Sequence, residues 1–191
     1  MTTERPILFS APMIRALLAG TKTQTRRVVK DTGLYAIDAA IHGPETAARE
    51  LLALASRCPY GLPGHKLWVR EAFSGARAYE MHGYPLKEWG NKIWFWADGN
   101  PQRGDWTKPR PSIHMPRHLS RITLEVTEVR VERLHDISRG DAMAEGCPFA
   151  NMAAGPDPRD WYRDLWNEIN GPGAWGLSPW VWVVAFKVVK P

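Results

Sequence analysis

A lysine and a threonine three residues apart form the segment with the clearest chemical potential. Lys22 and Thr25 lie within the stretch Gly-Thr-Lys-Thr-Gln-Thr-Arg-Arg that spans residues 20–27. Burial and neighbouring positive charge both disfavour an ammonium ion, so they make the neutral form of a lysine accessible near pH 7. A neutral lysine can accept the proton of a threonine hydroxyl and convert it into an effective nucleophile. The segment therefore predicts nucleophilic chemistry without histidine or metal, although such a turn also occurs on ordinary protein surfaces.

The elements before this segment are predicted to be a strand and a helix. Residues 7–9 are apolar and indicate a short strand, and Ser10 can cap the helix that follows. That helix ends at Gly20, directly before the lysine. In a flat strand Lys22 and Thr25 would point to opposite faces, so their joint action requires a bend between them.

The second half of the chain predicts a β-rich core with short helices. Residues 121–133 alternate as a strand whose apolar phase slips near Val129, which indicates a bulge. Ser138 and Asp141 form a capping-box pattern for a short helix that ends at Gly146. Another helix begins at residues 157–158, and the apolar run 180–189 predicts a strand that is covered on both faces. The order of elements indicates an α+β barrel with capping helices.

Composition limits the possible classes of protein. The 191 residues, with a net charge of +5, predict one domain that tolerates a polyanionic partner without requiring one. No apolar run is long enough to span a membrane, and the N-terminus does not resemble a secretory signal, so we expect a cytoplasmic protein. Cys58 and Cys147 are too few for a disulfide framework, and the scattered histidines make a zinc site improbable. We expect no metal and no cofactor, and the oligomeric state is left open.

Several segments together resemble the ASCH domain, a PUA-like β-barrel family associated with RNA. The matching pieces are LLAGTKTQTRR, GHKLWVRE, ISRGDAMAEG and PWVWVVAFKVV, which cover about half of the chain. The resemblance implies a single ASCH-like domain over residues 1–191, of fold class α+β, with a small PUA-like β-barrel, capping helices and inserted loops. The insertions are expected near 31–58, 74–112 and 148–160, a layout similar to that of the larger phage-type ASCH proteins.

Within that family, the small bacterial N4-acetylcytidine amidohydrolases have a similar Gly-x-Lys-x-x-Thr-x-Arg pattern, which Lys22, Thr25 and Arg27 match. The resemblance implies a Lys22/Thr25/Glu145 triad that hydrolyses N4-acylated cytosine nucleosides. Thr25 would attack the acyl carbonyl, and Lys22 would accept its proton or donate to the oxyanion. Glu145 lies at the C-terminal end of its predicted helix, where the dipole disfavours negative charge, and it would donate a proton to the departing nitrogen.

Further side chains are candidates for substrate binding. Trp68, Arg70 and Glu71 lie on a strand expected to line the barrel, where a flat base needs a stacking face and edge partners. An alternative for Arg70 and Glu71 is a structural ion pair. Phe9 and Ser10 border the lysine segment, with core packing and helix capping as their alternative roles. A basic stretch, defined as Arg110, His114, Arg117, His118 and Arg121, can contact phosphates or be merely solvated.

Two other functions remain open at this stage. The same fold can serve as a non-catalytic RNA-binding module, which would lose affinity steeply with salt. It can also serve as a ribonuclease, although no histidine pair supplies a general acid and base. A phage structural role is a more distant alternative.

Overall fold

The protein contains a five-stranded sheet and a separate two-stranded sheet. The computed structural model describes residues 3–30, 41, 43–85 and 92–190. Its strands are β1 (Glu4–Leu8), β2 (Gln24–Val28), β3 (Lys66–Arg70), β4 (Phe73–Gly75), β5 (Ile93–Phe95), β6 (Thr123–Arg133) and β7 (Trp180–Lys190). Its α-helices are α1 (Ala11–Leu18), α2 (Pro44–Ala55), α3 (Arg77–Met81), α4 (Arg139–Ala144) and α5 (Pro158–Asn170). The class is therefore mixed α and β, as the sequence predicted.

The main sheet is open among the described residues, with strand order β1-β3-β6-β7-β2. The pairing of β1 with β3 is parallel and the other three pairings are antiparallel. The predicted closure into a barrel is not confirmed, because the edge strands β1 and β2 share no described ladder. A side chain joins these edges instead: an Arg27 guanidinium nitrogen in β2 donates to the Leu8 carbonyl in β1 over 2.7 Å.

The longest pairing of the sheet, between β6 and β7, contains the predicted bulge. Its register shifts between Val126 and Glu128, and a second irregularity lies at the start of β6, between Thr123 and Leu124. The change of apolar phase ahead of Val129 therefore reflects a real extra residue, which bends the strand and strengthens its twist.

The first part of β7, as far as Phe186, is largely buried on both faces, as its apolar run predicted, whereas residues 187–189 are exposed. Trp182, Val184 and Phe186 pack into a first core with β1, β3, α1 and part of α2. Val181 and Val183 pack on the opposite face into a second core with α5. The sheet therefore separates two apolar layers, which pack against its opposite faces.

One of the two helix caps predicted from the sequence is present in the structure, and the other is not. Ser138 accepts from the Asp141 amide, and the Asp141 carboxylate accepts from the Ser138 amide, so the predicted capping box is confirmed. Ser10 does occupy the N-cap of α1, but its side chain makes no capping hydrogen bond, so that expectation was wrong. Its carbonyl still accepts from the Ile14 amide, which begins the helix through the backbone alone.

The predicted insertion segments 31–58 and 74–112 fall partly outside the described residues. Within them, α2 packs against β6, and its Ala47 and Ala55 are buried. Strands β4 and β5 form the two-stranded antiparallel sheet. No helix in the described part of the chain is long and apolar enough to cross a membrane.

Candidate active site

Lys22 and Glu145 form a buried ion pair. The Lys22 ammonium lies 2.9 Å from a Glu145 carboxylate oxygen and donates a second hydrogen bond, also of 2.9 Å, to the Glu145 main-chain carbonyl. Lys22 is 1% exposed and Glu145 is 2% exposed. Since charged groups are rarely buried so completely without a partner, the two side chains depend on each other.

The backbone brings this pair together across a long stretch of sequence. The Lys22 amide donates to the Ala16 carbonyl at the end of α1, and Lys22 forms an isolated antiparallel bridge with Glu145 at the end of α4. Gly146 follows with a φ of +96°, and a Cβ there would lie 2.9 Å from the Ala16 Cβ and 3.2 Å from the Lys22 Cβ. A glycine is therefore required both by the backbone conformation and by the close approach of the lysine.

Arg26 holds the other side of the same carboxylate. One guanidinium nitrogen lies 3.0 Å from the second Glu145 oxygen, and another lies 2.6 Å from Glu132 in β6. Arg26 also lies 3.5 Å from Asp141 and 5.8 Å from the centre of the Tyr162 ring. Both Glu145 oxygens thus have a cationic partner, so its negative charge is stabilised despite burial and despite the nearby helix C-terminus.

Asp141 connects this network to the capping box of α4. Although partial burial opposes ionisation, hydrogen bonds from Ser138 and Gln24 and the charges of Arg26 and Arg130 lower the pKa of Asp141 to about 2. Gln24 donates to both the carboxylate and the carbonyl of this residue, at 3.0 Å each. Asp141 therefore ties the start of β2 to the helix that positions Glu145.

We expect Asp141→Asn to lower stability at neutral pH and to flatten its dependence on acid. The folded-state pKa lies below the ordinary value of 3.8. The ionised group therefore stabilises the fold above about pH 4, and this contribution is lost as the pH falls through about 2. Because the carboxylate is partly exposed, we expect only about 1–2 kcal/mol, to be measured by urea unfolding at pH 7, 4 and 2.5.

The control for this measurement is Asp160→Asn. The Asp160 carboxylate pairs with Arg163 over 2.8 Å on an exposed helix face. Such a surface pair contributes little, so unfolding should change by less than about 1 kcal/mol. An Asp141→Asn protein with the same acid dependence of unfolding as the wild type would contradict the assignment.

Burial lowers the pKa of the Lys22 ammonium, while the charge and hydrogen bond of Glu145 oppose that shift. Arg27 and Arg26 add smaller contributions that also lower the pKa of this lysine. Both influences predicted from the sequence, desolvation and neighbouring arginines, are therefore present. The sequence did not reveal that the proposed acid of the triad would be the direct partner of the base.

Thr25 lies in β2 and is 2% exposed. No described residue forms a hydrogen bond with the Thr25 hydroxyl. Neither Lys22 nor Glu145 is therefore hydrogen-bonded to it. The bend that joint action of Lys22 and Thr25 requires is not observed: Lys22 forms a bridge, β2 begins at Gln24, and no turn lies between Lys22 and Thr25. Lys22, Gln24 and Arg26 all contact the Glu145 and Asp141 side of the segment, as alternate residues of an extended chain do. Thr25 and Glu145 are both among the residues that line one cavity.

Two adjoining cavities meet at Glu145. The smaller has a volume of about 50 Å³, and Thr25, Arg27 and Tyr162 are among its lining residues. The larger is an open cleft of about 500 Å³ between α1, α5 and the turn after α4. Both are lined by Met13, Glu145 and Leu165. The volume of the larger cleft falls within the range of about 300–1,000 Å³ that is typical of small-molecule sites.

Phe9 and Arg27 lie beside the ion pair. The Lys22 ammonium lies 5.5 Å from the centre of the Phe9 ring, and the Arg27 guanidinium lies 5.4 Å from it. Phe9 is buried, and its ring is an apolar contact for both cations. It also packs against Phe186. Ser10 is exposed at the start of α1 and does not line either cavity.

Trp68, Arg70 and Glu71 do not line the two cavities near Glu145. The Arg70 guanidinium lies 4.7 Å from the centre of the Trp68 ring, and its Nε is buried without a hydrogen-bond partner among the described residues. Glu71 pairs with Arg121 rather than with Arg70, through two bonds of 2.9 Å. The sequential ion pair considered above is therefore wrong, because neighbouring strand residues point to opposite faces.

Part of the basic stretch is neutralised by acidic side chains. Arg117 contacts Glu4 at 2.9 Å, and Arg121 contacts Asp98 at 2.6 Å as well as Glu71. Paired guanidinium groups attract phosphate less strongly than free ones, because their charge is already compensated. This surface is therefore less positive than its sequence indicates.

Several polar residues around the ion pair were missed by sequence reasoning, namely Gln24, Glu132, Asp141, Tyr162 and Trp166. One signal was available: Gln24 and Arg26 follow Lys22 at intervals of two, which predicts a shared face along an extended segment. The side chains that contact this face belong to β6, α4 and α5, which lie more than 100 residues further along the chain. No local pattern identifies them. Among the described residues, no cluster of three or more potential metal ligands occurs.

Comparison with known proteins gives two similar solved structures. A protein of Enterococcus faecalis V583 assigned to the family DUF984 has a TM-score of 0.43 and 10% identity, over 100% of this chain and 82% of that one. An ASCH domain of Lactobacillus crispatus JV V101 has a TM-score of 0.39 and 14% identity, over 99% of this chain and 81% of that one. No protein-family model and no curated protein sequence matches the chain.

One of these structures is described as an ASCH domain, the family that the sequence motifs also resemble. Similarity at this level carries no information on activity, substrate or partner. The functional argument therefore depends on the geometry around Lys22, Thr25 and Glu145.

Proposed function

We propose that the protein is an amidohydrolase that removes acyl groups from the N4 nitrogen of cytosine nucleosides. One observation supports the proposal: the buried Lys22–Glu145 pair adjoins a cavity that Glu145 and Thr25 both line. A purely structural ion pair has no need of an adjoining cavity lined by a nucleophile. The cleft of about 500 Å³ that shares Glu145 offers space for a nucleoside.

In the proposed reaction, Thr25 Oγ forms a bond to the acyl carbon and its proton passes to neutral Lys22. The carbonyl electrons move to oxygen in the tetrahedral intermediate. When the intermediate collapses, the bond from carbon to N4 breaks and the nitrogen takes a proton from the Lys22–Glu145 pair. Water then hydrolyses the threonine ester, which releases the carboxylic acid and restores Thr25.

Lys22 supplies the base of the reaction in its neutral form. Burial lowers the pKa of its ammonium group, although the charge and hydrogen bond of Glu145 oppose that shift. After Lys22 has accepted the Thr25 proton, it can pass this proton to the departing nitrogen while Glu145 holds the ammonium in position. Substrate binding must then bring Thr25 within hydrogen-bond distance of Lys22, as commonly happens only in the substrate complex.

The direct test is conversion of N4-acetylcytidine to cytidine, followed by absorbance. We expect turnover by the wild-type protein and none by Lys22→Arg, since arginine stays protonated and cannot act as a base. Lys22→Arg keeps a cation opposite Glu145 and so serves as the charge-matched control. The absence of turnover with acetyl, propionyl and benzoyl substrates alike would refute the proposal.

The pH dependence of kcat/KM should show Lys22 as the base. Because the neutral amine is the active form, the rate should rise with pH through the pKa of Lys22. Burial lowers that pKa, so the ascending limb should lie below the range near 10.4 where free lysine titrates. Measurements from pH 5 to 10 test this, and a rate that falls throughout this range would exclude Lys22 as the base.

Binding of RNA without catalysis is the second candidate function. The observation that favours it is Arg70, whose guanidinium stacks on Trp68 and retains a buried Nε without a partner among the described residues. Arginine and aromatic planes together suit stacking on single-stranded bases. Fluorescence anisotropy with a short RNA at about 50 and 200 mM salt would detect this function as a salt-sensitive affinity that Arg70→Ala weakens.

A further inference from the structure

The small cavity beside Glu145 lies along the free edge of β2. Among the described residues β2 pairs only with β7, so its other side is an edge of the sheet. Residues 25–28 all line the cavity, although their side chains point alternately to opposite faces. Met13 of the first core and Tyr162 of the second core line it as well. A cavity that contacts four consecutive strand residues and both layers must lie against the strand edge, where the main chain is.

The register of β2 determines which main-chain groups face this edge. The Thr23 carbonyl accepts from the Phe186 amide, and the Val29 amide donates to the Trp180 carbonyl. The odd-numbered residues of the segment therefore direct their main-chain groups at β7. In an antiparallel pair the alternate residues direct theirs away from the partner strand. The N–H and C=O of Arg26 consequently face the free edge.

The part of Arg26 that reaches the cavity is its main chain. The whole residue is 2% exposed, whereas its side chain is 0% exposed, since the guanidinium is enclosed by Glu132, Asp141 and Glu145. The remaining accessible area therefore belongs to main-chain atoms. Outside the ladder with β7, no described residue accepts a hydrogen bond from the Arg26 amide. A buried main-chain amide normally has a partner, so this one is available to a bound group.

The volume of the cavity limits which group can bind at this edge. One ordered water needs about 10–15 Å³ of such space, so about 50 Å³ admits a few non-hydrogen atoms and excludes a cytosine ring. An acyl carbonyl with a short substituent meets this limit, and its oxygen accepts hydrogen bonds from main-chain amides. The base and the sugar would occupy the adjoining cleft of about 500 Å³, which shares Met13, Glu145 and Leu165 with the small cavity.

We propose that the free edge of β2 binds the acyl group of the substrate, with the Arg26 main-chain N–H donating to the acyl carbonyl oxygen. This inference deepens the amidohydrolase function proposed above and rests on it for its substrate. Thr25 directly precedes this amide. Its side chain lies on the face of the first core, since Thr25 is paired with Val184. The hydroxyl would approach the carbonyl carbon from that face, while the amide stabilises the charge that develops on the oxygen.

The first measurement is hydrogen exchange of main-chain amides in the free wild-type protein. We expect the Arg26 amide to exchange at least about tenfold faster than the amides of Thr25 and Arg27, which face β7. These two neighbours are the matched control, because they lie in the same strand and differ in the direction of the N–H. Equal protection of all three amides would overturn the proposal, and this measurement needs no variant.

The second measurement is heteronuclear NMR of the Thr25→Val protein, which cannot consume the substrate by the proposed reaction. Addition of N4-acetylcytidine should move the Arg26 amide proton downfield and slow its exchange about tenfold, because the amide gains a hydrogen bond. N4-methylcytidine carries a substituent on the same nitrogen but no carbonyl, so it should leave the signal in place. An Arg26 signal that stays unchanged while N4-acetylcytidine shifts signals of the large cleft, such as that of Ala16, would contradict the proposed contact.

The possible failures are distinguishable. If the wild-type protein turns over N4-acetylcytidine and the Arg26 amide does not respond to it, the role of the edge is refuted and the amidohydrolase proposal stands. If the Arg26 amide responds and the wild-type protein has no turnover, the acyl-binding site stands and the proposed reaction is refuted. If N4-methylcytidine moves the signal equally, the response comes from the base or the sugar and the acyl contact is refuted. Absence of both binding and turnover refutes both proposals.

Discussion

Thr25→Val should abolish turnover of N4-acetylcytidine while leaving the fold intact. Valine has nearly the same shape as threonine but no hydroxyl, and loss of a nucleophile typically lowers kcat by about 10⁴-fold or more. Since no hydrogen bond between described residues involves the Thr25 hydroxyl, its removal leaves no partner unsatisfied. The thermal midpoint should therefore stay within a few degrees of the wild-type value, which differential scanning fluorimetry measures.

Two controls make this prediction specific. Thr25→Ser restores a hydroxyl and should recover part of the turnover. Thr23→Val makes the same change two residues earlier, at an exposed side chain, and should retain full activity. Turnover by Thr25→Val within tenfold of wild type would remove Thr25 as the nucleophile, whatever happens at Lys22.

Lys22→Met should be the most destabilising substitution at the site. It leaves Glu145 buried with Arg26 as its remaining cationic partner, and breaking a buried pair from one side costs about 3–5 kcal/mol. Because the free energy of unfolding of a domain is about 5–15 kcal/mol in total, this loss is a large fraction of it. Urea unfolding at pH 7 measures the change.

The double variant Lys22→Met with Glu145→Leu tests whether the cost comes from the unpaired charge. It removes both members of the pair and should be more stable than Lys22→Met by about 1–3 kcal/mol. Arg26 retains Glu132 and Asp141 in that protein, so it is not left without an acidic partner. If the double variant were as unstable as the sum of the two single variants, the pair would not be coupled and Glu145 would be refuted as the partner of Lys22.

These two predictions separate chemistry from stability. Thr25 is expected to affect turnover alone, whereas Lys22 affects both, since it is at once the base and half of a buried pair. A measured pattern in which Thr25→Val loses activity and Lys22→Met loses activity and stability would support both roles.

Local chemistry determines much of the secondary structure of this protein. The capping box of Ser138 and Asp141, the glycine at 146 and the phase slip before Val129 each predict a feature that the structure contains. These features depend on backbone conformation and hydrogen bonds within a few residues, so the amino-acid sequence alone specifies them. The apolar run of β7 likewise predicts burial on both faces, because it contains no polar alternation.

Closure of the sheet lay beyond sequence reasoning. Barrel formation depends on strand tilt and register around the whole sheet, which no single segment encodes. Among the described residues, β1 pairs only with β3 and β2 only with β7, and Arg27 joins the two edges through a side chain. Ser10 illustrates the same limit on a smaller scale, since a favourable residue at an N-cap need not use its side chain.

The residues Lys22, Thr25 and Glu145 could be selected from the sequence because their types and spacing suit proton transfer and because they match a family motif. The amino-acid sequence could not show that Lys22 and Glu145 would pair at 2.9 Å, nor that Arg26 would share the carboxylate. It also did not indicate that Gln24 and Asp141 would join the same network. Periodicity reports which residues share a face of one element, whereas cavities and long-range ion pairs arise only when separate elements pack together.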